Sequence, residues 1–151
     1  MAECRYGAQP PRLDMDKWDG YTADRQRILE AAGRVPGTVV LTGDIHVNYA
    51  ADLRLDFARP DSDAVAVELV GTSISSGGDG ADSNAALDQQ RRDNPHLLFA
   101  NSQRGYVRCE LTRSTLRADY RVLPYVTRPG APIATRASFV SHRERPGLNP
   151  A

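Results

Sequence analysis

Residues 38–48, Thr-Val-Val-Leu-Thr-Gly-Asp-Ile-His-Val-Asn, constrain this chain more than any other stretch. The β-branched apolar run Thr38–Thr42 predicts a buried strand, and Gly43 ends it in a turn that lets the following side chains point outward. The turn presents Asp44 and His46, a carboxylate and an imidazole separated by one residue. Two ligand types then sit at a strand's carboxyl end, the edge at which ligand sites gather in α/β folds. Metal-assisted hydrolysis needs such groups to hold a cation that activates water and offsets charge building on the substrate. The ordinary alternative is that Asp44 caps a turn while His46 packs or faces solvent.

A chain of 151 residues suits one domain with one core. Its 19 basic and 19 acidic side chains balance, so there is no nucleic-acid-binding signature. Cys4 and Cys109 are too few and too far apart for a disulfide framework or a zinc knuckle. No apolar run reaches the roughly 18 residues of a membrane span. The amino terminus lacks the basic-then-apolar pattern of a secretory signal, so the chain reads as untargeted and cytoplasmic if expressed as given.

Along the chain, residues 1–20 read as an irregular lead-in broken at Pro10-Pro11. Thr22 is placed to cap a helix over 23–32, with Asp24 in its first turn and Gly33 as its stop, and with Ile28, Leu29 and Ala32 on one side. Alternation from Val47 to Phe57 predicts a second strand, and Val65–Val70 a third. Gly71–Gly80 is the longest loop-forming run. A short helix covers about Ser83–Arg92 and ends at Asn94-Pro95. Leu97–Ala100, Tyr106–Leu111 and Leu116–Leu123 read as an antiparallel set, with Val107, Cys109 and Leu111 facing one way, and Leu116, Ala118, Tyr120 and Val122 sharing a face in the next strand. The tail 124–151 holds Pro129, Pro132, Pro146 and Pro150 and is expected to be extended and irregular.

Other chemistry-bearing residues have plain structural explanations. The Gly71–Gly80 loop lacks the Gly-Lys-Ser/Thr ending of a P-loop and the spacing of a dinucleotide fingerprint, so it reads as a surface loop. Cys109 reads as a small core residue. His96 and His142 have no partner at ligand spacing. Trp18–Tyr21 reads as a hydrophobic anchor at the helix start, and the arginines of the tail as solvated charge.

Five segments in one order carry a resemblance. They are Trp18-Asp-Gly-Tyr21, Leu41-Thr-Gly-Asp-Ile-His46, the run Glu68–Gly80, Arg104-Gly-Tyr-Val-Arg108 and Asp119-Tyr-Arg-Val-Leu-Pro-Tyr125. Together they resemble the carboxyl-terminal part of a PhoD-type alkaline phosphatase, in the metallophosphoesterase superfamily, from about Met15 to Leu148. The resemblance implies an α/β (α+β) fold, part of a four-layer αββα sandwich with mixed and antiparallel strands and few helices. It implies hydrolysis of phosphate mono- and diesters, a centre of iron with calcium, and a usually exported protein. Gly43-Asp44-x-His46 stands where the superfamily has Gly-His-x-His. Asp44 and His46 thereby inherit a metal-site role, with His46 bound either to metal or to the substrate's phosphate.

The superfamily's earlier ligand motifs are absent from these 151 residues, and Asp44 and His46 alone leave a pair of cations largely uncoordinated. The chain therefore reads as 1–151 of a single partial domain, a truncated frame, split gene or relic whose amino-terminal half lies elsewhere. No catalytic residue is assigned. A half-sandwich is expected to expose one apolar sheet face. The alternative function is a non-catalytic β-rich scaffold with at most weak metal binding.

Overall fold

In a computed structural model of the chain, which describes residues 1–7, 10 and 12–151, the apolar strand segments sort into two stacked sheets. In chain order the elements are β1 (Arg5–Tyr6), β2 (Arg12–Leu13), a 3-10 turn (Trp18–Gly20), α1 (Thr22–Gly33), β3 (Val39–Thr42), β4 (Asn48–Leu53), β5 (Ala66–Val70), α2 (Ala85–Asp93), β6 (Leu97–Asn101), β7 (Arg104–Leu111), β8 (Thr115–Leu123), β9 (Ala134–His142) and β10 (Arg145–Pro150). The first sheet has the order β3-β5-β4-β6 and the second β10-β9-β8-β7, with β1 and β2 forming a separate small ladder. β3 runs parallel to β5, while β4 is antiparallel to both β5 and β6.

β4 and β5 are buried at every position, because both faces of their sheet are covered. On one face Ala50, Val67 and Leu69 pack against Leu116, Ala118, Tyr120, Phe139 and Leu148 of the second sheet. On the other, Tyr49, Ala51 and Val70 meet Leu87 of α2, and Leu53 and Ala66 meet Leu29 and Ala32 of α1. Each large apolar side chain buried in this way contributes about 1.5–3 kcal/mol. Helices, first sheet and second sheet thus form three layers, and the mixed α/β fold with two α-helices agrees with the sequence expectation. α2 begins where the side chain of Asn84 accepts the Leu87 amide at 3.0 Å, a side-chain cap. No helix among the described residues is long and apolar enough to cross a membrane.

Several expectations need correction. The Leu97–Ala100 segment does not join the antiparallel set that follows it: β6 pairs with β4, and the chain changes sheets between Asn101 and Arg104. Just inside β7, Gly105 pairs with Val122; its φ is +156°, and a Cβ there would lie 1.9 Å from the Arg121 carbonyl oxygen. The 124–151 tail is not irregular, since it contributes β9 and β10. Pro146 and Pro150 are tolerated because β10 is an edge strand, where a missing N–H leaves no ladder bond unmade. Cys109 is exposed. It lies on β7, an edge strand, toward the end at which Leu111 is 78% exposed.

The fourth correction concerns the open surface. The outer face of the second sheet is polar, with Asp119 buried between Arg108, Arg117 and Ser138. Three of the exposed apolar side chains sit on edge strands, Leu41 on β3 and Tyr106 and Leu111 on β7, and most of the others lie in helices, turns and loops. An edge is open here, not a face.

The described residues among 1–20 are also more ordered than an irregular lead-in. The Ala2 amide donates to the buried Glu68 carboxylate at 2.7 Å and the Arg5 amide to Asn94 at 2.8 Å. Asp19, not Trp18, is the buried member of the Trp18–Tyr21 segment, and it pairs with Arg25. Pro11 of the expected Pro10-Pro11 break lies outside the described residues.

Candidate metal-ligand turn

β3 and β5 are parallel neighbours, so their carboxyl ends, Thr42 and Val70, lie together. The two segments that leave them start in register, with the Gly71 amide donating to the Thr42 carbonyl at 2.9 Å. The first segment closes a tight turn through a 3.0 Å bond from the Ile45 amide to the Gly43 carbonyl. Side chains then alternate: Ile45 and Val47 pack inward against the Tyr49 and Val70 cluster, while Asp44 and His46 are exposed.

The sequence suggests that Gly43 supplies the unusual backbone conformation. The structure assigns it to the two candidate ligands: φ is +75° at Asp44 and +56° at His46, the only non-glycine residues with positive φ among those described. Each such residue costs about 1–3 kcal/mol and persists only where surrounding contacts over-determine it. Sequence reasoning missed the two side chains that brace this region: Arg104 bonds the His46 peptide itself, and Asn48 ties the neighbouring loop after β5 to Asn101 and Gln103. Asn48, fully buried, accepts the Thr72 amide at 3.1 Å and donates to Asn101 and to the Gln103 carbonyl, each at 3.2 Å. Arg104 donates to the His46 carbonyl at 2.8 Å and to the Gly78 carbonyl at 2.7 Å. The available signals were an asparagine amid an apolar strand, where its type is depleted, and an arginine heading the Arg-Gly-Tyr-Val-Arg segment.

The Gly71–Gly80 loop is braced on both flanks. Arg104 holds Gly78, and the exposed Asp79 carboxylate accepts the Val126 and Thr127 amides at 2.6 and 3.0 Å. Those donors, the Val126 amide foremost, hold the Asp79 carboxyl below the usual carboxylate range.

Chemically, Asp44 and His46 suit a hard or borderline cation. Among the described residues, the only side-chain hydrogen bond to the backbone of this pair is the Arg104 bond to the His46 carbonyl. A cleft of about 230 Å³ adjoins Asp44, but the other carboxylates lining it are engaged. Glu68 accepts the Ala2 amide at 2.7 Å, and Asp19 takes Arg25 and the Cys4 amide. No group of three His, Cys, Asp or Glu side chains able to hold a metal occurs among the described residues. Asp44 and His46 therefore fit as two donors of a larger set, not as a complete centre.

The remaining histidines are elsewhere. His96 is buried under the lead-in, its Nε2 2.7 Å from the Glu3 carbonyl oxygen and its ring against Phe57. Burial pushes its imidazole below the ordinary range. His142 is exposed at the end of β9.

A family model described as PhoD-like phosphatase matches residues 1–120. Alkaline phosphatase D of Bacillus subtilis (strain 168) is 49% identical over 140 residues, covering 91% of this chain and 24% of that protein. A solved structure of PhoD superposes with a TM-score of 0.91 at 46% identity, covering 99% of this chain and 29% of that one. The chain thus spans about a quarter of the length of the relative it matches. With the strand–turn–loop geometry above, these matches establish that the chain belongs to the PhoD-like phosphatase family.

Proposed function

We propose that these residues form the carboxyl-terminal portion of a phosphoric ester hydrolase and lend Asp44 and His46 to its metal centre. The observation that carries this reading is the Gly43–His46 turn, where two exposed donors with strained backbones sit at the end of a parallel strand pair. Asp44 contributes charge that lowers the net charge of a bound cation. His46 contributes a neutral nitrogen donor to the metal, or a hydrogen bond to a phosphate oxygen of the ester. The family expectation for the metal is iron with calcium, and bound metal supplies Lewis-acid activation of water and of the phosphoryl group. The substrates are phosphate mono- or diesters.

The remaining donors come from outside these residues, and the open edge of β3 beside the turn is where a further portion of the fold would join. The lack of a third donor among the described residues favours a second reading, a scaffold without catalysis that binds metal weakly. One experiment separates them. The 151-residue chain alone should hydrolyse an aryl phosphate no faster than buffer with the same metals. Supplying the unmatched part of Bacillus subtilis alkaline phosphatase D, fused or in trans, should produce a chelator-sensitive rate. A fused protein that folds yet stays inert would support the scaffold reading. Robust turnover by the chain alone would overturn the claim that its site is partial.

A further inference from the structure

We propose that Arg104 is a positioning residue for the Asp44–His46 donors, fixing the turn through the His46 peptide group; this rests on the metal-ligand reading of that turn. Arg104 is only 7% exposed and begins β7, where its backbone is registered with Leu123 of the second sheet. Its side chain reaches back to the first sheet. Nη1 donates to the His46 carbonyl at 2.8 Å and to the Thr72 hydroxyl at 3.4 Å, and Nε donates to the Gly78 carbonyl at 2.7 Å. One planar group thus ties a donor residue to the Gly-rich loop and both to the neighbouring sheet.

Two features separate this arrangement from ordinary packing. A buried guanidinium normally has a carboxylate partner, whereas Arg104 forms no ion pair among the described residues and spends its hydrogen bonds on carbonyls and a hydroxyl. The carbonyl it takes from the turn belongs to His46, a residue held at φ +56°. That bond fixes the peptide plane that joins His46 to Val47, and with it the ψ of His46 and the direction in which the turn, and its imidazole, leave the strand. The guanidinium reaches the two carbonyls from separate nitrogens, Nη1 and Nε, whereas a lysine ammonium presents its three donors from a single nitrogen and cannot occupy both positions.

The test follows the ring protons of the three histidines by NMR during titration of the 151-residue chain with Mn²⁺. His46 should broaden at lower Mn²⁺ than exposed His142 or buried His96, which serve as internal references. Asp44→Asn should abolish that preference. Arg104→Gln and Arg104→Lys should each weaken the His46 response about tenfold, the usual effect of removing a group that orients a ligand. The ring resonances of Phe99, Tyr120 and Phe139 should stay unchanged. If Arg104→Gln loses those core resonances, Arg104→Lys decides. A lysine variant with wild-type Mn²⁺ dependence overturns the proposal. If the His46 preference depends on Asp44 but not on Arg104, this inference alone fails. If it does not depend on Asp44, the reading of the turn as a ligand site fails with it.

Discussion

Replacing Asp44 with glycine should leave the fold as stable as before or slightly more stable, although it removes a proposed ligand. At φ +75° a residue with a Cβ pays about 1–2 kcal/mol, somewhat less for aspartate, which visits this region more readily than most. Glycine relieves that strain but costs about 0.4–1 kcal/mol in unfolded-chain entropy. The net change for Asp44→Gly is therefore roughly zero to +1 kcal/mol. Asp44→Ala keeps the strain and should fall below the glycine variant by about 0.5–1 kcal/mol, reversing the order at an ordinary position, where alanine is favoured. With a urea dependence of about 2 kcal/mol/M, the two midpoints should differ by roughly 0.3–0.5 M. Alanine as stable as glycine would refute the strain. A loss of more than about 1 kcal/mol in Asp44→Gly would mean that the carboxylate holds the turn together and does not stand ready for a ligand.

Tyr120→Phe should lose about 1–2 kcal/mol in chemical denaturation, because the buried hydroxyl that donates to the Tyr49 carbonyl disappears; an unchanged midpoint would remove that link between the sheets. Leu148→Ala should cost about 2–4 kcal/mol, since β10 closes the inter-sheet core, and a near-neutral result would return the tail to an irregular extension. His96 sets a pH dependence. Burial lowers its folded pKa, so the unfolded chain binds the proton more readily, and its contribution should fall as pH drops through the ordinary imidazole range. His96→Gln should flatten the stability profile there, and a slope that persists unchanged would place its source elsewhere.

Local patterns carried the first half of the fold. The helix at Thr22–Gly33 and the strands near Val39–Thr42 and Ala66–Val70 lie within a residue or two of their sequence expectation, because apolar runs are encoded within each segment. Thr22, however, is the first residue of the helix and no side chain caps it. Partnership was not legible. Nothing between Leu97 and Leu111 announces that β6 returns to β4 while β7 starts a new sheet, since pairing depends on long-range contacts. The prolines of the tail argued against strands without revealing that β10 is an edge. At the site, residue types and spacing singled out Asp44 and His46. Their left-handed backbones and the contacts of Arg104 and Asn48 arise from the packing of two loops and two sheets, which no single segment encodes.

The central claim is that Asp44 and His46 hold metal in a complete enzyme, and metal content measures it most directly. These 151 residues would replace the matching quarter of Bacillus subtilis alkaline phosphatase D, and the purified fusion would be analysed by elemental mass spectrometry with and without Asp44→Asn and His46→Ala. The account predicts that the fusion retains its metal and that the double variant, still folded, binds at least one metal roughly tenfold or more weakly and loses aryl phosphate hydrolysis with it. A folded double variant with the full metal complement and an unchanged rate would contradict it.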